Sequence, residues 1–284
     1  RGSTSTTEAQ QNVADSTKLI IKPNVYSWRN ITVGNAFKTS YYYKRDLDSH
    51  MMKNTEWGAV AYLSHSYYGA KTKTDDGWDI GTSLRVNNNM NYVTGYSATE
   101  EPTVGAKTSS IVGNRMEAVN PENDGTYTIN YLNPNSVVAA TTSNYSGIYD
   151  MSGGVNEAVM GNVNNLASSS GLTSIFGDFY TDNIWSKYYD KYPNQTSYLF
   201  YSNRILGDAT GEMGPFFNQT DPDASSRSKA SWYGDYARFA YSTEPWFHRG
   251  QSYFAGTNAG IFSFGIYNGR ATPDASFRVV LTPQ

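Results

Sequence analysis

The sequence predicts an α+β domain built on a loop-rich antiparallel sheet with two short helices. Three observations carry this. Much of the apolar area sits on rings, many with polar tips: 24 Tyr, 12 Phe and 6 Trp bring aromatics to 15%. Turn formers are dense, with 25 Gly and 26 Asn, so apolar runs are short and punctuated. Only two stretches read as helix, against several short runs rich in β-branched and aromatic residues.

Taken in order, residues 1–17 contain little that could pack and read as a flexible tail, leaving 18–284 as a single domain. A strand is expected over 18–22, stopped by Pro23-Asn24. Residues 25–37 alternate loosely through Val25, Trp28, Ile31 and Val33, as a second strand or a turn into one would. The best helix spans 54–68: Asn54 or Thr55 can cap it, Glu56 lies in the first turn, and Gly69 can end it. A second short helix is expected at 155–160, between glycine pairs. Short strands follow from 126–132 (TYTINYL) and 277–281 (FRVVL). No repeat of solenoid period and no proline-rich linker occurs.

Composition excludes several functions. With 284 residues the chain can bury a substantial core, but charged residues are 17% and net charge is −3. That is no basic footprint for nucleic acid. No apolar run approaches a membrane span, so no direct membrane insertion is expected. Cysteine is absent, which removes disulfides, thiolate metal sites and cysteine nucleophiles.

Catalytic signals are sparse. His50, His65 and His248 lack metal-ligand spacing, and no GxSxG, P-loop, GxGxxG or HExxH occurs. The loop 120–124 (NPEND) reads as a solvated turn or an oxygen-rich calcium loop. Asp46, Asp48, Asp75 and Asp76 read as turn residues rather than paired catalytic carboxylates. No catalytic residue, metal or cofactor is expected.

Three segments are informative: 147–161 (GIYDMSGGVNEAVMG), 249–253 (RGQSY) and 276–281 (SFRVVL). In order and spacing they resemble the DMxGNVWEW, RGGSW and GFRxx signatures of the formylglycine-generating-enzyme (sulfatase-modifying-factor) branch of the C-type lectin fold. The chain departs at Asn156, where that family has Trp, and at Gln251, where it has Gly. The resemblance implies a C-type lectin fold. The copper-holding cysteines of the catalytic members are missing, and three scattered histidines do not make the iron site of related sulfoxide synthases.

A wider resemblance covers 22–37 (KPNVYSWRNITVGNAF), 50–69 (HMMKNTEWGAVAYLSHSYYG), 205–216 (ILGDATGEMGPF) and 231–239 (SWYGDYARF). These look like the variable proteins of diversity-generating retroelements, in which adenine-directed mutagenesis rewrites codons near the 3′ end of the gene. The targeted AAY codons cannot become Lys, Glu, Gln, Met or Trp. Those five types number 38 in residues 1–251 and none in 252–283. At the upstream rate about five would fall in that window. A glycine-rich closing meander disfavours Lys, Glu and Gln as well, and the gap agrees with the resemblance.

The resemblance implies a variable ligand-binding region at about 246–276. Its candidate residues are Trp246, Phe247, His248, Ser252, Tyr253, Phe254, Gly265, Ile266, Tyr267, Asn268, Arg270, Thr272, Pro273 and Asp274. Interleaved scaffold positions are Gly256, Ala259, Gly260, Phe262, Phe264, Gly269, Phe277, Val279 and Leu281. Trp246-Phe247-His248 sets three rings in a row, which a strand with one buried face cannot bury, so an exposed aromatic patch is expected there. The implied function is adhesion or receptor binding outside the cell, on a bacterial surface, a pilus-like structure or a phage particle. The partner would be a protein or glycan receptor on another cell or particle. The alternatives are a formylglycine-generating-enzyme-like enzyme or pseudoenzyme with a small-substrate groove, and a structural surface protein.

Overall fold

A computed structural model describes residues 11–21, 27–69, 71–74, 77–80, 92–93, 115–119, 127–129, 140–142, 144, 146–149, 151–152, 155–194, 196, 204–210, 236–252 and 259–282. The NPEND loop, Asp75, Asp76, Tyr253 and Phe254 lie outside them. In chain order the elements are α1 (Val33–Tyr41), β1 (His50–Met51), α2 (Asn54–Ser64), β2 (Lys71–Thr74), β3 (Gly77–Ile80), β4 (Tyr92–Val93), β5 (Arg115–Val119) and β6 (Tyr127–Ile129). There follow β7 (Asn156–Val163), α3 (Leu172–Phe176), β8 (Asp190–Tyr192), β9 (Trp246–Arg249), β10 (Phe264–Tyr267), β11 (Ala275–Phe277) and β12 (Val279–Val280). The architecture is α+β.

The start of the chain departs from expectation. Residues 11–17 are held against α1: Gln11 O accepts the Trp28 indole at 2.8 Å, Asn12 Oδ1 accepts from Thr32 N at 3.0 Å, and Asp15 N donates to Thr39 Oγ1 at 3.2 Å. The strand expected over 18–22 does not form in its described part: a 3₁₀ turn, Ser16–Lys18, whose Thr17 N–H is taken by Asp15, runs into irregular chain over 19–21, and Lys22 lies outside the described residues. In place of the second expected strand stands α1. Thr32 caps it by accepting from Asn35 N. Val33, Ala36, Phe37 and Ser40 then fall on one buried face at helical spacing.

The helix α2 begins where the sequence places it, and the chain continues as turns to Gly69. Its first turn is closed by two carboxylates. Glu56 Oε2 accepts the Lys53 N–H at 2.8 Å, and Asp190 of β8 accepts the Thr55 N–H at 2.7 Å. Asn54 and Thr55 are therefore inside the helix and the cap is supplied from elsewhere.

The expected helix at 155–160 is strand β7, the centre of a five-stranded sheet. The order is β10-β9-β7-β11, with β8 pairing a further stretch of β7. Strand β7 runs antiparallel to β9 but parallel to β11 and β8, so the sheet is mixed rather than antiparallel. The misreading has a physical cause. Ala158 and Met160 pack on one side, Val159 and Val163 on the other. A strand buried on both faces is a continuous apolar run that lacks the alternation of a half-exposed one.

Two cores result, one on each face. With α1 lie Trp28, Phe37, Met160, Phe179, Trp246 and Phe277; with α2 lie Trp57, Val159, Tyr192, Phe247, Ile261 and Phe264. Many of the rings that the composition left unplaced fill these layers. Phe37, for example, meets Phe176, Phe179, Trp185 and Tyr188 at centroid distances of 5.2–6.1 Å. The expected strand at 277–281 is divided at Arg278 into the end of β11 and β12. Strand β12 pairs β1 antiparallel, Met51 opposite Val279. Separate small sheets join β2 to β3 and β4 through β5 to β6; β6 lies within the strand expected over 126–132, whose other residues lie outside the described ones.

Candidate functional site

Register decides which candidate residues can meet a ligand. Strand β9 sits between β10 and β7, with Trp246 opposite Tyr267, Phe247 opposite Ile266, His248 opposite Gly265 and Arg249 opposite Phe264. Successive side chains point to opposite faces. Trp246 thus enters the α1 core and Phe247 the α2 core, and both are fully buried at 0% exposure. The Trp246 indole donates to Ala167 O at 3.2 Å. The expected exposed ring patch is corrected: a central strand has two buried faces, so consecutive rings are both accommodated.

Tyr267 is buried as well, at 8%, and its hydroxyl donates to Arg270 O. Burial pushes its pKa up to about 12. Ser252 is also buried. Gly265 is buried beneath the His248 ring: a Cβ there would lie 2.4 Å from His248 Cε1. That position accepts only glycine while the imidazole keeps its place, which corrects its assignment to the ligand-facing set. Phe264 and Phe277 are buried as the scaffold pattern expects, whereas Val279 is only half-buried and Leu281 is exposed, so the pattern fails at the chain's last apolar positions.

What remains accessible is His248, Ile266 and the run 268–274 apart from the buried Gly269. Arg270 and Pro273 are exposed, and Ile266, Asn268, Thr272 and Asp274 are half-buried. The backbone of this run is fastened from outside it. Asn268 O accepts from Ser169 N at 3.0 Å, Gly269 O from Val33 N at 3.0 Å and Thr272 O from Asn30 N at 2.7 Å. Asp274 O accepts from Asn156 N at 2.9 Å, and Pro273 O from the buried Arg29 at 3.4 Å. Gly269 has φ +84° and would press a Cβ to 2.7 Å from Ser170 Cβ, so it is scaffold, as expected. The loop's shape is therefore set largely by main-chain bonds.

His248 is half-buried, and its Nδ1 is buried without a partner. Burial pulls its pKa down to about 4; the Asp274 charge opposes this while Arg249 and Arg238 add to it. Asn156, at the head of β7, donates from Nδ2 to Asp274 Oδ2 at 3.4 Å, and its Oδ1 is buried without a partner.

Beneath the sheet lies a polar lock that the sequence reading did not single out. Arg249, fully buried, donates to Asn54 Oδ1 at 3.0 Å, Asp208 O at 2.9 Å and Ala209 O at 3.1 Å. The Asp208 carboxylate takes the Tyr192 hydroxyl at 2.7 Å and the backbone of Ile205 and Thr210, and Asn54 Nδ2 donates to Tyr192 Oη at 2.7 Å. The available signal was Arg249 itself, which opens the RGQSY segment that carries the family resemblance.

Among the described residues no group of three His, Asp or Glu side chains could hold a metal ion. No helix among them is long and apolar enough to cross a membrane. The chain matches no protein-family model and no curated protein.

Proposed function

We propose that this chain is a diversified receptor-binding or adhesion protein of C-type lectin fold, whose ligand-facing side chains stand on the 268–274 loop and at Ile266. The observation that carries this reading is the fastening of that loop through its own carbonyls. Side chains on such a loop can change identity with little effect on its path, which is what a diversified binding surface requires. Binders vary the groups that touch a partner and keep the frame that holds them.

Two features support the resemblance on which the fold rests. The segments that resemble the family signatures meet in space: Glu157 of the first pairs with Arg278 of the third, and stands in register with Arg249 of the second. Gln251, where the family has glycine, has φ +55°, the left-handed backbone that glycine tolerates best. The proposed partner is a protein or glycan receptor on another cell or particle, met on a bacterial surface, a pilus-like structure or a phage particle.

The test is a library at Ile266, Asn268, Arg270, Thr272, Pro273 and Asp274, sorted first for folding and then for binding to bacterial-surface or phage-particle preparations. Retained folding with altered partner choice supports display. A library whose members fold but all bind one partner alike removes this loop as the site.

A further inference from the structure

On the α1 face of the sheet, four polar side chains converge beside the loop. Ala158 of β7 stands opposite His248 of β9, and Asn156, two residues earlier, shares the Ala158 face. Ala275 of β11 is in register with Asn156, which brings Asp274 to the Asn156 amide. Thr272 completes the group: its buried Oγ1 makes no well-formed hydrogen bond, though it lies near enough to the Tyr267 hydroxyl to favour the ionised phenol. Gly265 leaves the space above β10 in which the His248 ring lies.

Two buried polar atoms are left wanting partners in this one place, His248 Nδ1 and Asn156 Oδ1, and Thr272 Oγ1 beside them has the Tyr267 hydroxyl near it but no well-formed bond. An unsatisfied buried donor or acceptor costs about 1–3 kcal/mol, so such a concentration calls for something that supplies the bonds. We propose that His248, Asn156, Thr272 and Asp274 form a subsite for a neutral, hydroxyl-rich ligand, a saccharide, held by direct hydrogen bonds. This rests on the display reading above and names its ligand class.

The polarity of the groups selects that class. Asn156 spends an N–H on Asp274 and turns its carbonyl oxygen to the site, so it accepts. The Asp274 carboxylate accepts too. His248 stays neutral near pH 7, offering one donor and one acceptor, and the Thr272 hydroxyl does either. An anion would meet the Asp274 carboxylate and the Asn156 oxygen, with too few donors in return. A cation would be drawn to Asp274 but would meet the fields of Arg249 and Arg238, both of which oppose protonation of His248. A polyol escapes both penalties, because each hydroxyl donates to one group and accepts from another. Rotamer changes of the half-exposed Thr272 and Asp274, of the scale usual on binding, open the recessed atoms to it.

The test uses the full chain with ¹⁵N-labelled histidine in buffer containing EDTA. It is titrated with glucose, galactose, mannose, fucose and N-acetylglucosamine up to about 100 mM, a range that reaches millimolar affinities. Methylammonium and inorganic phosphate serve as charged comparators. The expected result is a saturable shift of the His248 ring nitrogens by at least one sugar and by neither ion. Asn156→Ala and Thr272→Val should each weaken it about tenfold or more. The near-isosteric Thr272→Val carries the test should Asn156→Ala disturb folding. No shift with any sugar, equal affinity in wild type and Thr272→Val, or saturation by methylammonium or phosphate instead overturns the proposal. A protein partner whose binding follows the loop library while no sugar moves His248 overturns this subsite and leaves the display reading standing. A sugar that saturates His248 while the library's binding to other partners never varies does the reverse.

Discussion

The Arg278 guanidinium holds the Glu157 carboxylate from two nitrogens, Nε to Oε2 at 2.7 Å and Nη2 to Oε1 at 2.5 Å. Its third nitrogen, Nη1, donates to Tyr149 O at 3.1 Å. The pair joins the central strand β7 to the bend between β11 and β12, and both side chains are mostly buried, at 18% and 12% exposure. Breaking a buried pair by removing one partner leaves the other charge uncompensated. Arg278→Ala should therefore cost about 3 kcal/mol or more in urea unfolding. Arg278→Lys should recover only part of that, since an ammonium cannot reproduce the planar fork. Equal stability of wild type and Arg278→Ala would show that the pair does not tie the C-terminal strands to the sheet.

Gly265 and His248 are one packing unit. Gly265→Ala should cost about 1–3 kcal/mol through overpacking, because the new methyl meets the imidazole. His248→Ala removes the obstacle, so the double variant should be more stable than the sum of the two single losses predicts. Additive losses in the thermodynamic cycle would mean that the ring does not lie across the glycine.

Two histidines should titrate in opposite directions. Burial alone would lower the His50 pKa, but its hydrogen bonds to Glu56 at 2.9 Å and to Asp48 O raise it above the ordinary 6.5. Burial would likewise raise Glu56, yet His50 and the Lys53 N–H hold it below 4.5. The His50 contribution is complete below 6.5 and is lost as pH rises through its raised pKa. The Glu56 contribution is complete above 4.5 and is lost as pH falls through its lowered one. The stability difference between wild type and His50→Gln should thus be larger at pH 5.5 than at pH 8.5. His248 works the other way: the unfolded chain takes up its proton near 6.5 and the folded chain only near 4, so its contribution fades as pH falls between those values. Ring titration by NMR should place the His50 midpoint above 6.5 and that of His248 near 4.

How much of this was legible in the sequence depends on how local the cause was. The start of α2 was readable because Asn54, Glu56 and the apolar face lie within a few residues. The burial of Phe264 and Phe277 was readable from the scaffold pattern. Strand β7 was not, because burial on both faces erases the period that separates strand from helix. The rings of Trp246 and Phe247 were misplaced for the same reason, and Tyr267 followed them across the β9–β10 pairing. The meeting of Asn156, His248 and Asp274 depends on the register of three strands distant in sequence, which no local pattern encodes. Arg249 and Asp208 stand far apart in the chain, so their lock was equally hidden.

The clearest separation of frame from display lies within the 246–274 region itself. Phe247→Ala or Trp246→Ala should each cost about 3–5 kcal/mol, as large rings removed from a filled core do. Changes at Ile266, Asn268, Arg270 and Pro273 should each stay within about 0.5 kcal/mol, since these side chains meet solvent and the loop is fastened by its backbone. Combined replacement of these four should leave circular dichroism and the melting midpoint nearly unchanged while partner binding collapses. Loss of even two anchors of about 2 kcal/mol each leaves little of a micromolar complex. The control is Arg29→Met, which removes the buried guanidinium that donates to Pro273 O at 3.4 Å without touching any loop side chain. It should weaken binding by letting the loop's path relax, provided the melting midpoint shows the two cores intact. If the four loop changes unfold the chain, or if binding survives both them and a folded Arg29→Met, the loop is part of the frame and the display surface lies elsewhere.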